Sequence, residues 1–261
     1  PEANGFVYAA NKWWVTNPST ENKKNLTAGY YEQTLLGKNA DWIRCYAQGR
    51  YTYVQEGKPV MGEYDDTLMT EEYLEPDIQY PIQVGVDFGL TPAAIFGQKL
   101  PNGQWRIFHE LVTFDMGLER FGYMLKGELE TRFPKYDVLV WGDPAGMKRD
   151  EIFEVTAFDH LRTIGLVARP TATNDFRVRR EAGAAPMNRL IQGKPGLLVD
   201  KRCKRLRKAL NGGYHFKRVQ ISGGERYKDQ PNKNEHSHVG DAFMYLLLGG
   251  GEHKRLTRGN N

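Results

Sequence analysis

Three consecutive segments between residues 82 and 114 constrain the fold more than any other part of the sequence. Residues 82–89 (IQVGVDFG), 91–100 (TPAAIFGQKL) and 104–114 (QWRIFHELVTF) all have the apolar, β-branched and aromatic character of strands. The last two are joined by Pro-Asn-Gly-Gln, which is typical of a hairpin turn. We therefore expect three consecutive antiparallel strands at the beginning of the main domain.

Helix and strand patterns alternate after these three strands. Residues 116–133 have a helical period, with large apolar side chains on one side. The later elements that the patterns predict are strands at 136–142, 166–172 and 196–200, helices at 150–164, 176–191 and 201–210, a hairpin formed by 214–220 and 226–229, and a final helix at 236–249. Such an alternation indicates an α/β domain in which helices flank a mixed sheet.

The first 80 residues have a different character. They are rich in Asn, Tyr, Gly and Glu, their apolar runs are short, and the prolines of YLEPDIQYP would break any helix there. We interpret residues 1–80 as a linker arm packed on the body, with a short helix at 27–36 and a strand at 49–55. The main domain then covers residues 81–250, and residues 251–261 form a basic, flexible tail.

Length, composition and cysteine content exclude several classes of protein. The chain has 261 residues, of which 40% are hydrophobic, and this suffices for a packed core. It has no apolar run near the roughly 20 residues of a membrane span and no signal-peptide pattern. Cys45 and Cys203 are too few and too far apart for a disulfide framework or a thiolate metal site. A reducing, cytoplasmic setting is therefore expected.

Positive charge is concentrated between Lys194 and Lys228. This stretch has eleven Lys and Arg residues against Asp200 and Glu225, so its net charge is +9 in a chain whose total is +4. The rest of the chain therefore carries −5. A basic block of this kind is either a solvated face or a surface for phosphate groups, and charge alone leaves both open.

Three aspartates lie where one type of active site requires acids. Asp87 belongs to the first strand, Asp143 follows the fourth, and Asp241 lies in the final helix. The order of the elements matches the ribonuclease-H-like arrangement, in which strands one and four are neighbours, so that the three side chains can converge. Phosphodiester hydrolysis of this type uses two divalent ions, and Mg²⁺ prefers carboxylate oxygens. We therefore expect Asp87, Asp143 and Asp241 to bind Mg²⁺ or Mn²⁺.

Each aspartate also has a purely structural interpretation. Asp87 could form a strand-end turn, Asp143 an Asp-Pro turn, and Asp241 a solvated helical position. Asp241 argues most strongly against this interpretation, because its neighbours in the helix are apolar and an unpaired charge among them would be costly. His238 lies three residues earlier on the same helical face, and we expect it to support the site rather than to bind metal directly.

The segment VGVDFGLT (84–91) is compatible with two other kinds of phosphate chemistry. Asp-Phe-Gly occurs in protein kinases, but the chain lacks their H-R-D-x-x-x-x-N and Ala-Pro-Glu motifs. Asp-x-Gly-x-Thr occurs in actin-like ATPases, which share the ribonuclease-H topology but need a second lobe that this length hardly allows. An actin-like ATPase and a non-catalytic DNA-binding or motor-docking module remain as alternatives.

Several segments resemble the nuclease domain of the large terminase subunits of tailed bacteriophages. They are VWGDPAGMKRDE, TNDFRVR, GKPGLLVDKRCKRLRKALNGGYHFKRVQ and PNKNEHSHVGDAFMYLLLG. The pattern Lys-Asn-x-x-Ser-His-x-x-Asp-Ala in the last segment is the most specific. The resemblance implies that Asp87, Asp143 and Asp241 bind the catalytic metals and that Lys233 is a basic residue beside them. Some members have a further acid just before the third aspartate, where this chain has Gly240.

The resemblance also implies a function and partners. It predicts an endonuclease that cuts concatemeric double-stranded DNA in a viral genome-packaging motor, in the host-cell cytoplasm. The expected partners are an ATPase domain, a portal and a small terminase subunit. Residues 80–250 correspond to the nuclease domain, and the preceding segment resembles the end of the ATPase domain. No G-x-x-x-x-G-K-[ST] loop occurs, so we expect the chain to be the C-terminal part of a longer protein and to hydrolyse no ATP itself.

The same resemblance gives the basic stretch a role in binding DNA. Contacts of Lys and Arg to phosphates position a duplex without reading its sequence, and they weaken as salt increases. The residues expected to contact DNA are Lys201, Arg205 and Lys208 on the basic helix and Lys217, Arg218, Arg226 and Lys228 on the hairpin.

Overall fold

The computed structural model of the protein describes residues 6–9, 12–15, 25–30, 33, 57–89, 91–147, 156–219 and 226–252. The chain divides into two compact units between Glu56 and Gly57. In the first unit, strands β1 (Phe6–Ala9) and β2 (Lys12–Val15) pair antiparallel. The helix predicted at 27–36 is described only in part, with Tyr30 and Gln33 helical, and the strand predicted at 49–55 lies outside the described residues.

The second unit contains the elements that position the candidate site. Its strands are β3 (Gly57–Pro59), β4 (Thr70–Glu71), β5 (Ile82–Asp87), β6 (Ala93–Lys99), β7 (Trp105–Val112), β8 (Val138–Gly142), β9 (Ala168–Pro170), β10 (Leu190–Ile191), β11 (Lys194–Pro195), β12 (Leu197–Asp200), β13 (His215–Val219) and β14 (Arg226–Tyr227). Its helices are α1 (Asp66–Met69), α2 (Leu118–Arg132), α3 (Ala157–Thr163), α4 (Phe176–Ala184), α5 (Lys204–Lys208) and α6 (Ser237–Gly249). A 3-10 turn covers Pro144–Met147, and a kinked turn covers Ala209–Gly213, where Asn211 and Gly212 depart from helical backbone angles.

A seven-stranded mixed sheet organises this unit, in the order β4-β12-β7-β6-β5-β8-β9. The strands β5, β6 and β7 pair antiparallel, as predicted, whereas β8 pairs parallel with β5 and β9 parallel with β8. The expected adjacency of the first and fourth strands is therefore confirmed. At the opposite edge, β12 pairs parallel with β7 and β4 parallel with β12, a placement that the sequence pattern does not predict.

Each face of the sheet has its own hydrophobic core, because successive residues of a strand point to opposite sides. Ile95 packs with α6 on one face, and its neighbour Phe96 packs with α2 on the other. On α2 the buried side chains include Phe121, Leu125 and Leu129, as the helical period predicts. Helix α6 is buried on nearly all sides, which is the position of a helix that is apolar all round.

The end of α6 is anchored by the buried carboxylate of Glu252. It accepts hydrogen bonds from Trp105 Nε1 and Arg189 Nη1, each at 2.8 Å, and it pairs with Lys99 Nζ at 2.8 Å. Burial by itself would raise the pKa of this carboxyl, but these donors outweigh burial and lower the pKa to about 2. The ionised carboxylate therefore ties the end of the helix to β6 and β7.

The helix predicted at 176–191 is too long. It corresponds to α4, which ends at Ala184. Pro186 follows two residues later, and it has no backbone N–H with which to continue the helical hydrogen bonds. The strands β10 and β11 then form a hairpin. Its turn residues Gln192 and Gly193 have φ angles of 52° and 79°, the left-handed conformation that a two-residue hairpin turn requires.

The basic helix predicted at 201–210 begins later than expected, at Lys204. The reason is a turn formed by Asp200, whose Oδ1 accepts the N–H of Arg202 at 2.8 Å. Lys201 therefore precedes the helix instead of lying on it.

The remaining predicted elements agree with the structure where it describes them. The helix predicted at 150–164 is α3, and residues 148–155 lie outside the described part of the chain. The predicted basic hairpin consists of β13 and β14, which pair antiparallel, and residues 220–225 between them are not described. Among the described residues, no helix combines the length and the apolar character needed to cross a membrane.

Candidate functional site

Asp87 and Asp143 lie at neighbouring strand ends. Asp87 is the last residue of β5, Asp143 directly follows β8, and the parallel register pairs Val86 with Gly142, one residue before each. Because adjacent strands are about 4.8 Å apart, both aspartates leave the sheet at the same edge.

A tight turn holds Asp143 in place. Its Oδ1 accepts the N–H of Ala145 at 2.8 Å, and its carbonyl oxygen accepts the N–H of Gly146 at 2.9 Å. The ring of Phe88 packs against this turn, so closely that a Cβ added at Gly142 would lie 2.5 Å from it. The absence of a side chain at Gly142 therefore allows the residue that follows β5 to pack directly on the strand that carries Asp143.

Helix α6 brings Asp241 to the same edge because it packs closely on β5. Gly85 faces the helix, and an added Cβ there would lie 2.6 Å from Leu246 Cβ and would also overlap the backbone of Ala242. Asp241 is 2% exposed. The same helix reaches Asp87 through His238, which lies three residues before Asp241 and contacts Asp87 Oδ2 at 2.7 Å.

Two cations and a phenol surround the carboxylate of Asp241. Arg179 Nη1 donates to its Oδ1 at 3.1 Å, and the hydroxyl of Tyr214 donates to the same oxygen at 3.2 Å. Lys233 pairs with Oδ2. Sequence reasoning identified Lys233 by resemblance but missed Arg179 and Tyr214. The available signal was the buried acid itself, because a charge among apolar neighbours requires a partner.

His238 bonds to Asp87 and not to Asp241, although it lies on the same side of α6 as Asp241. Its Nδ1 lies 2.7 Å from Asp87 Oδ2. Burial raises the pKa of Asp87, the hydrogen bond with His238 opposes this, and the charge of Asp241 adds to the rise. The histidine therefore orients the first of the three carboxylates.

Tyr245 lies on α6 beside the acidic residues of the site. Burial raises the pKa of its phenol, the positive charge of Arg179 opposes this, and the negative charge of Asp143 adds to the rise. The guanidinium carbon of Arg179 lies 4.7 Å from the centroid of the Tyr245 ring, in a cation–π contact. Arg179 thus contacts both Tyr245 and Asp241, two residues of the same helix.

The position before Asp241 has no room for a further acid. Gly240 occupies it, and an added Cβ would lie 2.5 Å from Cδ1 of Tyr214. The tyrosine ring fills this space, and its hydroxyl reaches Asp241 from there. An acidic side chain at residue 240 would displace the tyrosine that binds Asp241.

The donor set is chemically suited to a hard divalent ion. Asp87, Asp143 and Asp241 offer carboxylate oxygens, which Mg²⁺ and Mn²⁺ prefer. In the part of the chain that the structure describes, however, no three His, Cys, Asp or Glu side chains are grouped closely enough to hold a metal ion. Both oxygens of Asp241 instead accept hydrogen bonds from cationic side chains. The three aspartates are therefore suitable ligands for Mg²⁺ or Mn²⁺, and in this structure the carboxylate of Asp241 is paired with Arg179 and Lys233.

Acids from elsewhere in the chain partly neutralise the basic stretch. Arg207 pairs with Asp66 at 2.6 Å. Lys201, which was predicted to contact DNA, pairs with Glu72 at 2.6 Å. The positive charge that this surface presents is therefore smaller than the net +9 of the stretch suggests.

The other predicted DNA-contacting residues form two groups. On α5, Arg205 is exposed and lies over the ring of Phe114 at 4.6 Å, and Lys208 is half-buried. Leu206 and Leu210 are buried on the opposite side, as predicted. The hairpin residues are all exposed, and they are Lys217, Arg218, Arg226 and Lys228. The hairpin therefore presents four basic side chains to solvent.

The sheet order and the flanking helices define a ribonuclease-H-like α/β fold, and solved structures of this kind resemble the chain. The nuclease domain of the P22 large terminase has a TM-score of 0.55 at 10% identity, over 76% of this chain and 94% of that one. The large terminase of a thermophilic bacteriophage has a TM-score of 0.55 at 16% identity, over 87% of this chain. The predicted fold class is thus confirmed, and the fold is that of phage large terminase nuclease domains.

These similarities concern the fold. The chain spans about half of the large terminase from the thermophilic bacteriophage, 53% of its length. No protein-family model and no curated protein matches the sequence. At such low identities the activity has to be argued from the site itself.

Proposed function

We propose that the protein is a metal-dependent endonuclease of the ribonuclease-H-like kind. The observation that supports this most directly is that Asp87 and Asp143 leave neighbouring strand ends, while α6, which carries Asp241, contacts Asp87 through His238. Grouping buried carboxylates is unfavourable unless positive charge compensates them. Such a grouping in a fold shared with nuclease domains is suited to binding divalent cations and, through them, phosphate.

Asp87 and Asp143 would hold the divalent ions, Mg²⁺ or Mn²⁺, with Asp241 contributing through Oδ2. Two such ions, when bound, neutralise charge on the scissile phosphate and lower the pKa of a bound water. The chain's own residues orient these ligands, since His238 fixes Asp87 and the turn after β8 fixes Asp143. The side chain of Lys233 is 67% exposed, so its ammonium can also reach a phosphate that approaches the carboxylates.

The substrate that we propose is double-stranded DNA, bound without sequence readout. Arg205 and Lys208 on α5 and the four basic side chains of the β13–β14 hairpin supply charge for phosphate contacts. Lys201 contributes less than predicted, because Glu72 already pairs with it.

The biological setting that we propose is a viral genome-packaging motor that cuts concatemeric DNA in the host-cell cytoplasm. The support is the shared fold with terminase nuclease domains and the length of the thermophilic bacteriophage's terminase, of which this chain corresponds to about half. In this setting the remaining part would carry the ATPase, and a portal and a small terminase subunit would be partners. The proposed domain bounds remain 1–80, 81–250 and 251–261.

Supercoiled plasmid incubated with Mn²⁺ tests the activity. We expect nicking and linearisation by the wild-type chain and their loss in Asp143→Asn. The matched control is Asp137→Asn, which changes an exposed aspartate just before the other end of β8 and should retain full activity. Equal activity of Asp143→Asn and the wild type would contradict the assigned site.

The same incubation separates the alternative functions. ATP turnover without DNA cleavage would indicate an actin-like ATPase. DNA binding with neither activity would indicate a non-catalytic docking module. Cleavage that is abolished by chelating the divalent ion supports the proposed nuclease.

A further inference from the structure

Arg179 is a buried arginine that contacts Asp241 and Tyr245 at the candidate site. Its side chain is 7% exposed, and Nη1 donates to Asp241 Oδ1 at 3.1 Å. The guanidinium carbon lies 4.7 Å from the ring centroid of Tyr245 and 5.9 Å from that of Phe176. Its Nε has no hydrogen-bond partner among the residues that the structure describes. A buried donor without a partner is unfavourable, so this arginine is not optimised for stability alone.

The two oxygens of Asp241 have different surroundings. Oδ1 faces two buried donors, Arg179 and Tyr214. Among the described residues, the donor to Oδ2 is Lys233, whose side chain is 67% exposed. A lysine with a flexible stem that reaches in from solvent is displaced more easily than a buried arginine stacked on an aromatic ring.

We propose that Arg179 is a positioning residue for Asp241. It fixes Asp241 directly through Oδ1, and its guanidinium is itself held over the ring of Tyr245, which lies on the same helix as Asp241. Lys233 then serves as an exchangeable counter-ion on Oδ2, which leaves that oxygen for a divalent ion. This second part rests on the proposed metal-dependent function.

Lysine cannot replace arginine in this role. The planar guanidinium can stack on Tyr245 and donate to Asp241 at the same time, because its face and its edge are used separately. An ammonium is a compact charge on a flexible stem and has no such face. Arg179→Lys therefore preserves the charge and removes the geometry.

The first test compares Mn²⁺ binding in Arg179→Lys and Arg177→Lys by isothermal titration calorimetry on metal-free protein. Arg177 is an exposed arginine on the same helix and provides the matched control. We expect R179K to weaken Mn²⁺ binding about 10- to 100-fold, the usual loss when a residue that orients a metal ligand is changed. R177K should bind as the wild type does. Equal Mn²⁺ affinity in R179K and the wild type would overturn the positioning role.

The second test concerns Lys233. Lys233→Gln removes the exchangeable counter-ion and should tighten Mn²⁺ binding about two- to fivefold, the range expected for one exposed ion pair. Lys228→Gln removes an exposed charge on the hairpin and controls for the general effect of net charge. Weaker Mn²⁺ binding in K233Q would show that the lysine does not compete for Oδ2.

Cleavage kinetics provide an independent measurement. Arg179 is buried, so R179K should lower kcat for plasmid cleavage while KM for DNA stays unchanged. If R179K shows no cooperative unfolding transition and is therefore not folded, Tyr214→Phe is tested in its place. This change removes the other donor to Asp241 Oδ1 and keeps the aromatic ring beside Gly240. Y214F should weaken Mn²⁺ binding in the same direction, and unchanged binding would overturn the proposal.

Failure of this inference and failure of the proposed function look different. A wild-type protein that neither binds Mn²⁺ nor cuts DNA refutes both the function and the exchange at Oδ2. A wild-type protein that does both, with R179K indistinguishable from it, refutes the role of Arg179 alone.

Discussion

Replacing Gly85 by alanine should separate the candidate metal-binding carboxylates without touching any of them. Gly85 lies in the middle of β5, and an added Cβ would be 2.2 Å from the backbone oxygen of Ala242 on α6, whereas ordinary contacts begin at 3.4 Å. Helix and strand would have to move apart by about 1.2 Å, the difference between these distances. The shift would carry Asp241, which lies on this helix, away from Asp87.

The expected effects follow from this displacement. Inserting a methyl group into a packed interface costs about 1–3 kcal/mol in the free energy of unfolding. A misplacement near 1 Å can reduce catalysis about a hundredfold. Gly85→Ala should therefore fold with reduced stability and lose DNA cleavage to a much greater extent than its stability loss explains.

Urea unfolding and Mn²⁺-dependent plasmid cleavage, measured on the same preparations, check this prediction. Gly127→Ala is the matched control, because Gly127 is an exposed glycine of α2 with nothing within 4 Å of an added Cβ. That change should stabilise the protein by about 0.4–1 kcal/mol and leave cleavage unchanged. If Gly85→Ala cleaved DNA as fast as the wild type, close packing of α6 on β5 would not be needed to assemble the site.

Three further predictions concern stability, metal and DNA. Glu252→Gln should destabilise the protein by up to about 3 kcal/mol at pH 7, since the carboxyl pKa is lowered from 4.5 to about 2. Because the carboxyl pKa is lower in the folded state, the ionised Glu252 stabilises the fold above pH 4.5, and this stabilisation is lost as the pH falls towards 2. The difference in the free energy of unfolding between wild type and Glu252→Gln, measured by urea unfolding, should therefore narrow over this range. A difference that stays constant would contradict the prediction. Mn²⁺ should raise the Tm of the wild type but not of Asp87→Asn, and equal shifts would remove Asp87 from the metal site. The double variant Lys217→Glu/Arg218→Glu should bind DNA duplexes of unrelated sequence more weakly, by a similar factor for each, and its binding should depend less on salt. Lys135→Glu, at an exposed position elsewhere, is the control. Unchanged DNA affinity in anisotropy titrations at low salt would favour a solvated face.

The elements that the sequence predicts well are those with a local signal. Alternation of apolar residues and a Pro-Asn-Gly turn predict β5, β6 and β7, and the structure confirms them. The helix predicted at 176–191 is wrong beyond Ala184, because Pro186 cannot continue the helical hydrogen bonds and residues 190–195 pair as a hairpin instead. The bounds of the basic helix fail for a similar reason, since Asp200 closes a turn ahead of Lys204.

The candidate site shows the same division. The three aspartates are placed by element order, because the ends of neighbouring parallel strands meet at one edge of a sheet. The order of the elements does not predict the partners of these acids, because Arg179 and Asp241 are 62 residues apart and meet where α4 packs on α6. Helical spacing puts His238 beside Asp241, yet the contact of α6 with β5 turns it towards Asp87.

By itself the sequence determined the strand and helix types, the three acidic positions and the concentration of basic residues near the C-terminal end. Periodicity and turn chemistry are properties of neighbouring residues, so they can be read along the chain. Only the tertiary structure decided that β12 and β4 extend the far edge of the sheet, that Glu72 and Asp66 neutralise part of the basic stretch, and that Arg179 holds Asp241. These features depend on which distant segments pack together and bury charge, and a local sequence pattern does not predict such packing.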